Sequence, residues 1–112
     1  MSRLNNGGGS SPVYTELFSA SHSPTGFGAF EDWDISALIP TGCQWVDILA
    51  RSVSAQSLGV RTKGSAVNRA DGNNAANASF TWRVKPDASR IIQIYAGSTA
   101  ADAFFYVVGY QS

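Results

Sequence analysis

No stretch of this sequence holds apolar residues on the three-to-four spacing of a helix, and that absence constrains the fold more than any other feature. Short runs rich in β-branched and aromatic residues recur instead, mostly separated by Gly, Pro, Asn and Asp. The runs fall at 13–18, 27–30, 33–36, 44–53, 58–62, 78–84, 90–95 and 103–110, with 27–30 either a short strand or an aromatic plug. Within 44–53, Val46, Ile48 and Ala50 share one face and Asp47, Leu49 and Arg51 the other; Leu49 suits a strand covered on both sides. In 78–84, Phe80, Trp82 and Val84 oppose Ser79, Thr81 and Arg83. Residues 68–78, NRADGNNAANA, read as a polar loop with Asp71-Gly72 as its turn. About eight strands without a helix predict an all-β, antiparallel, jelly-roll-like sandwich.

A chain of 112 residues encloses one hydrophobic core but not two. Residues 12–112 are therefore expected to form the sandwich. Residues 1–11, MSRLNNGGGSS, hold almost nothing to bury and predict an extended N-terminal arm. Glycines at 7, 8 and 9 would let its backbone lie close to a partner surface, which makes Arg3, Leu4, Asn5, Gly7, Gly8 and Gly9 its candidate contacts.

The last run carries the clearest hint of assembly. Phe104, Tyr106, Val108 and Tyr110 are expected on one side, Phe105, Val107 and Gly109 on the other, so both faces are apolar. A two-layer sandwich leaves one face of each strand to water unless a third surface covers it. A sister subunit would supply that surface and make the first four residues a subunit interface; tyrosine hydroxyls reaching solvent would explain the pattern equally well. Only 14% of residues are charged against about 25% in average proteins, and the formal net charge is zero, so electrostatic repulsion resists association weakly.

The same composition narrows the function classes. Eight basic and eight acidic residues lie scattered, with no basic stripe for nucleic acid. No apolar run is long enough to span a bilayer and the N-terminus lacks a signal peptide's apolar segment, so synthesis in a cytoplasm is expected. Cys43 stands alone, and no cofactor or metal set is apparent. His22 is the only histidine and has no nucleophile motif beside it. Glu31, Asp32 and Asp34 could serve glycoside hydrolysis or a calcium ion, but equally form a solvated strand edge. Arg61 and Arg69 are candidates for ion pairs with Asp32, Asp34 or Asp71, within the fold or across a subunit boundary, or for ligand binding.

Three stretches carry a resemblance: WDISALIPTG at 33–42, GVRTKGSAVNR at 59–69 and FFYVVGY at 104–110. Together they resemble small β-sandwich modules of tailed bacteriophages, found in head decoration proteins and tail-fibre tips. The likeness covers roughly residues 30–112, and 59–69 carries most of its specificity. It implies a homotrimeric jelly roll located on a virion. A non-enzymatic capsid decoration or cement protein, bound to the major capsid protein through its arm, is the leading expectation. The short chain favours it over a fibre tip recognising a host glycan through exposed Trp, Tyr and Asn side chains, for which Trp33, Trp45 and Trp82 are available, although such tryptophans are more often core residues. A small glycan-processing enzyme ranks last, since no acid/base pair stands out.

Overall fold

The computed structural model describes residues 13–67 and 69–112. The expected arm with its contact candidates Arg3, Leu4, Asn5, Gly7, Gly8 and Gly9 therefore lies outside the described residues. Eight strands follow one another: β1 (Tyr14–Glu16), β2 (Glu31–Asp34), β3 (Trp45–Ser52), β4 (Gln56–Thr62), β5 (Arg69–Asn74), β6 (Ser79–Val84), β7 (Ile91–Ala96) and β8 (Ala103–Gln111). They form two four-stranded antiparallel sheets ordered β1-β8-β3-β6 and β2-β7-β4-β5. The all-β sandwich expected from the sequence is thus present. Its pairings are nested, first strand with last, second with seventh, third with sixth and fourth with fifth, while β3–β8 and β4–β7 complete the sheets.

The core lies between the sheets because each central strand alternates. Val46, Ile48 and Ala50 of β3 and Phe105 and Val107 of β8 point inward from one sheet. Leu58 and Val60 of β4 with Ile92, Ile94 and Ala96 of β7 point inward from the other. Burying each of the larger side chains contributes about 1.5–3 kcal/mol. Trp33 joins this core from β2, stacked on the His22 ring with centroids 4.8 Å apart.

One expectation fails, for a local reason. The polar stretch 68–78 is not all loop: β5 runs through it, and Asp71 and Gly72 pair with Gly59 and Leu58. A Cβ on Gly72 would sit 3.6–3.7 Å from Phe80 and Trp82 of the opposite sheet, in ordinary contact, so β5 lies directly over those two aromatics. An edge strand paired along its backbone to β4 needs few apolar side chains of its own. Of the two readings of 27–30, the strand is absent and the plug is the nearer: bends cover 25–29 and the Phe30 ring rests over Gly59.

A buried polar residue fastens one end of the sandwich. Gln56 donates from Nε2 to Ser52 Oγ and to the Thr99 carbonyl, both at 2.9 Å. Its Oε1 accepts from the Ser98 and Thr99 amides at 3.1 and 2.9 Å. The β3–β4 turn is thereby tied to the segment entering β8. Gln56→Leu keeps the volume but strands these backbone groups, which costs about 1–3 kcal/mol for a buried unsatisfied partner. The variant is expected to melt several degrees lower than the wild type by calorimetry, with an unchanged far-ultraviolet β-sheet signal.

Candidate functional site

The outer faces of the two sheets differ in chemistry. On the β1-β8-β3-β6 sheet, Leu49 stands opposite Tyr106, and Arg51 opposite Phe104. The Phe18 ring leans on Tyr106 at 5.1 Å while staying 70% exposed. The segment after β1 holds Phe18 there because Leu17, Ser19 and His22 donate backbone bonds to Val108, Val107 and Phe105 of β8. Phe18, Leu49, Phe104 and Tyr106 form an apolar patch with polar groups on two sides. On one side Arg83 binds Asp47 at 2.9 and 3.2 Å, and the Tyr14 hydroxyl donates to Asp47 at 2.8 Å. On the other side Arg51 donates to Asn77 at 3.4 Å.

The expected interface quartet does not share one face. Register shifts between Asp47 and Ile48, so that Asp47 opposes Gly109 but Ile48 opposes Val107. Val108 is the extra residue of a β-bulge, and the side chains beyond it change sides. Phe104 and Tyr106 keep the outer face, whereas Tyr110 opposes the core residue Val46 and packs against the core. Gly109 moves outward in exchange, and a Cβ there would lie 2.0 Å from the Tyr14 hydroxyl. A period of two carried through Val108 misassigns Tyr110 for this reason alone.

The outer face of the other sheet is polar with an aromatic centre. The Phe30 ring covers Gly59, tilts against Tyr95 at 5.2 Å and carries the Arg61 guanidinium 4.2 Å from its centroid. Arg61 and Arg69 stand directly opposite one another on β4 and β5. Their expected carboxylate pairings are met only in part. Arg69 pairs with Asp71 on its own strand, whereas Arg61 donates from Nε to Gln93 at 2.7 Å and has no carboxylate partner among the described residues. Asp32 is taken by Lys63 at 2.8 Å and by Gln93, and Asp34 accepts from the Ser36 amide at 2.9 Å. Beside Phe30 an open groove of about 410 Å³ is lined by Ser57, Arg69, Asp71, Gly72, Asn73 and Tyr95. A second lobe of about 440 Å³ adjoins it across Ser57, Asn73 and Tyr95 and reaches Gly97 and Ser98.

The carboxylates that suggested catalysis are dispersed. Glu31 accepts from Thr25 and Gly26, away from Asp32 and Asp34. Among the described residues no group of three or more His, Cys, Asp or Glu side chains could hold a metal ion, and no helix is long and apolar enough to cross a membrane. The tryptophans offered for glycan stacking are largely occupied: Trp33 is buried and Trp82 stacks on Phe80 against the core. Sequence reading missed Tyr95, Phe30, Ser57 and Asn73 as a group, since only the register of β4, β5 and β7 brings them together.

Acid acts on this fold through two kinds of group. Burial against Trp33 lowers the His22 pKa, with Glu31 opposing weakly. The Asp32 carboxyl is lowered by the Lys63 and Gln93 bonds and that of Asp34 by the Ser36 amide. Burial pushes Asp47 upward, but the Arg83 and Tyr14 bonds outweigh it and its pKa falls. For each of these groups the folded state binds its proton less readily than the unfolded one, so stability is present above the ordinary pKa and is lost as pH falls through the lowered one. As pH falls from neutrality, melting temperature should decline gently below about pH 6.5 and steeply below about pH 4. In melting scans across pH, His22→Phe should remove the first decline and Asp47→Asn should reduce the second.

Comparison of the chain with protein-family models, with curated proteins and with solved structures finds no match in any of the three.

Proposed function

We propose that this chain is a non-enzymatic virion structural protein, a capsid decoration or cement protein that sits on the head surface as a homotrimer. The observation that carries the reading is the patch of Phe18, Leu49, Phe104 and Tyr106 with polar groups on two sides. A sheet face exposed to water ordinarily bears polar residues, whereas an interface has an apolar centre and a polar rim. The low charge of the chain favours the same conclusion.

Within this proposal the sandwich is a jelly roll. The nested order β1-β8-β3-β6 and β2-β7-β4-β5 supports it, because folding one long antiparallel hairpin over on itself generates these neighbours. Viral capsid domains commonly use that architecture, and the resemblance of residues 30–112 to phage head and tail modules points the same way. Three copies would pack Phe104, Tyr106 and Phe18 around a common axis. The major capsid protein would be the partner of the arm, and a host cytoplasm the place of synthesis.

Sedimentation at micromolar concentration is expected to give a trimer, and Tyr106→Lys should dissociate it. Tyr106 is half-buried on the outer face and outside the core, so the isolated subunit should remain folded. A wild-type chain that sediments only as monomer overturns the trimer.

The arm has its own test. Ordering it on a partner costs about 1–2 kcal/mol of backbone entropy per residue, which main-chain bonds and burial of Leu4 would have to offset. A chain beginning at Ser11 should fold and trimerise like the full chain yet coat stripped capsids far more weakly. Equal coating at equal concentration would make the arm a passive tether.

A further inference from the structure

We propose that the groove on the β2-β7-β4-β5 sheet is a binding site for a neutral oligosaccharide, about two sugar rings long. It lies on the opposite outer face from the apolar patch, so the proposal stands whether or not the chain trimerises.

The outer face of β5 is a row of polar side chains. Arg69, Asp71 and Asn73 share the outer face at every second position, opposite Arg61, Gly59 and Ser57 of β4. Both bonds from Arg69 reach Asp71 Oδ2, leaving Oδ1 as an open acceptor. Ser57 donates to Asn73 Oδ1 at 2.7 Å, which fixes the Asn73 amide and leaves its NH₂ group as an open donor. The row thus offers donor, acceptor and donor in turn along one strand. Sugar hydroxyls both donate and accept, so a polyol can satisfy such a row, whereas an anion would face the Asp71 carboxylate and a cation the Arg69 guanidinium. The Arg69–Asp71 pair leaves the row without net charge.

Aromatic rings supply the second half of a sugar site. Phe30 and Tyr95 both line the first lobe, and Tyr95 also borders the second. Gly59 helps seat the ring: a Cβ there would lie 3.3 Å from Phe30 Cζ, so the ring would have to shift by a few tenths of an ångström. Aromatic edges and faces pack against the C–H surfaces of sugar rings while fork-shaped polar groups hold their hydroxyls. Two adjoining lobes of about 410 and 440 Å³, open to solvent along one side, suit successive rings of a chain better than one enclosed metabolite.

The test titrates the isotope-labelled full chain with cellobiose, maltose, lactose and diacetylchitobiose, and separately with a uronic-acid disaccharide, following amide resonances. At least one neutral sugar should shift the amides of residues 57, 71, 73 and 95. Asn73→Ala and Tyr95→Ala should each weaken that binding about tenfold or more, the size expected when one hydrogen bond or one stacking ring is lost from a shallow site. Phe27→Ala, on an exposed loop, should leave it unchanged. Because Asn73 is exposed, its variant tests the site without risk to the core. Shifts with no neutral sugar, shifts confined to other residues, tighter binding of the uronic-acid sugar, or indifference to both groove substitutions would each overturn the proposal.

Discussion

The pairing of β8 with β3 is the constraint on which the rest of this structure depends. Residues near the end of the described chain insert between β1 and β3, so neither sheet neighbour is complete until β8 is in place. Phe105 and Val107 enter the core from that strand, and Gln56 locks its entry through Ser98 and Thr99. Nearly every ladder therefore joins strands distant in sequence. Such closure pays its loop entropy before contacts reward it, which places the chain among slowly folding β topologies.

The bulge at Val108 is what makes one strand serve two environments. A strand of strict period two would send Tyr110 outward beside Tyr106 and Gly109 inward. The extra residue reverses both, giving the core an aromatic ring near its rim and giving Tyr14 an open place over Gly109. From there the Tyr14 hydroxyl reaches Asp47, whose pairing with Arg83 borders the apolar patch. The border is thus a consequence of backbone register as much as of side-chain identity.

Strand existence was legible wherever the side chains alternate. Residues 79–84 and 45–52 read correctly because Phe80, Trp82, Val46 and Ile48 must share a buried side. β5 was not legible, since Arg69, Ala70, Asp71 and Gly72 carry turn chemistry and no apolar period. Its strand state is imposed from outside, by the backbone of β4 and by Phe80 and Trp82, against which Gly72 packs. The candidate groove was hidden for the same reason, because its polar row lies on that strand. The two arginines were visible as a pair, but only the register showed them standing side by side, with Arg61 resting on Phe30 and Gln93 in place of a carboxylate.

The two proposed surfaces are compatible because a sandwich separates them. Sheets packed face to face lie about 10 Å apart, so a contact made by Tyr106 and Leu49 leaves Tyr95 and Asn73 on the far side of the protomer. In the proposed trimer, three aromatic patches would turn toward the axis and three grooves away from it. Individual saccharide grooves that are shallow and open bind weakly, but three carried on one rigid body can engage a polymeric surface together, and the second and third contacts become intramolecular. Many such trimers fixed to a particle extend the same arithmetic. A weak groove is therefore no argument against a role at the surface of an assembly, where the number of sites and their spacing set the avidity.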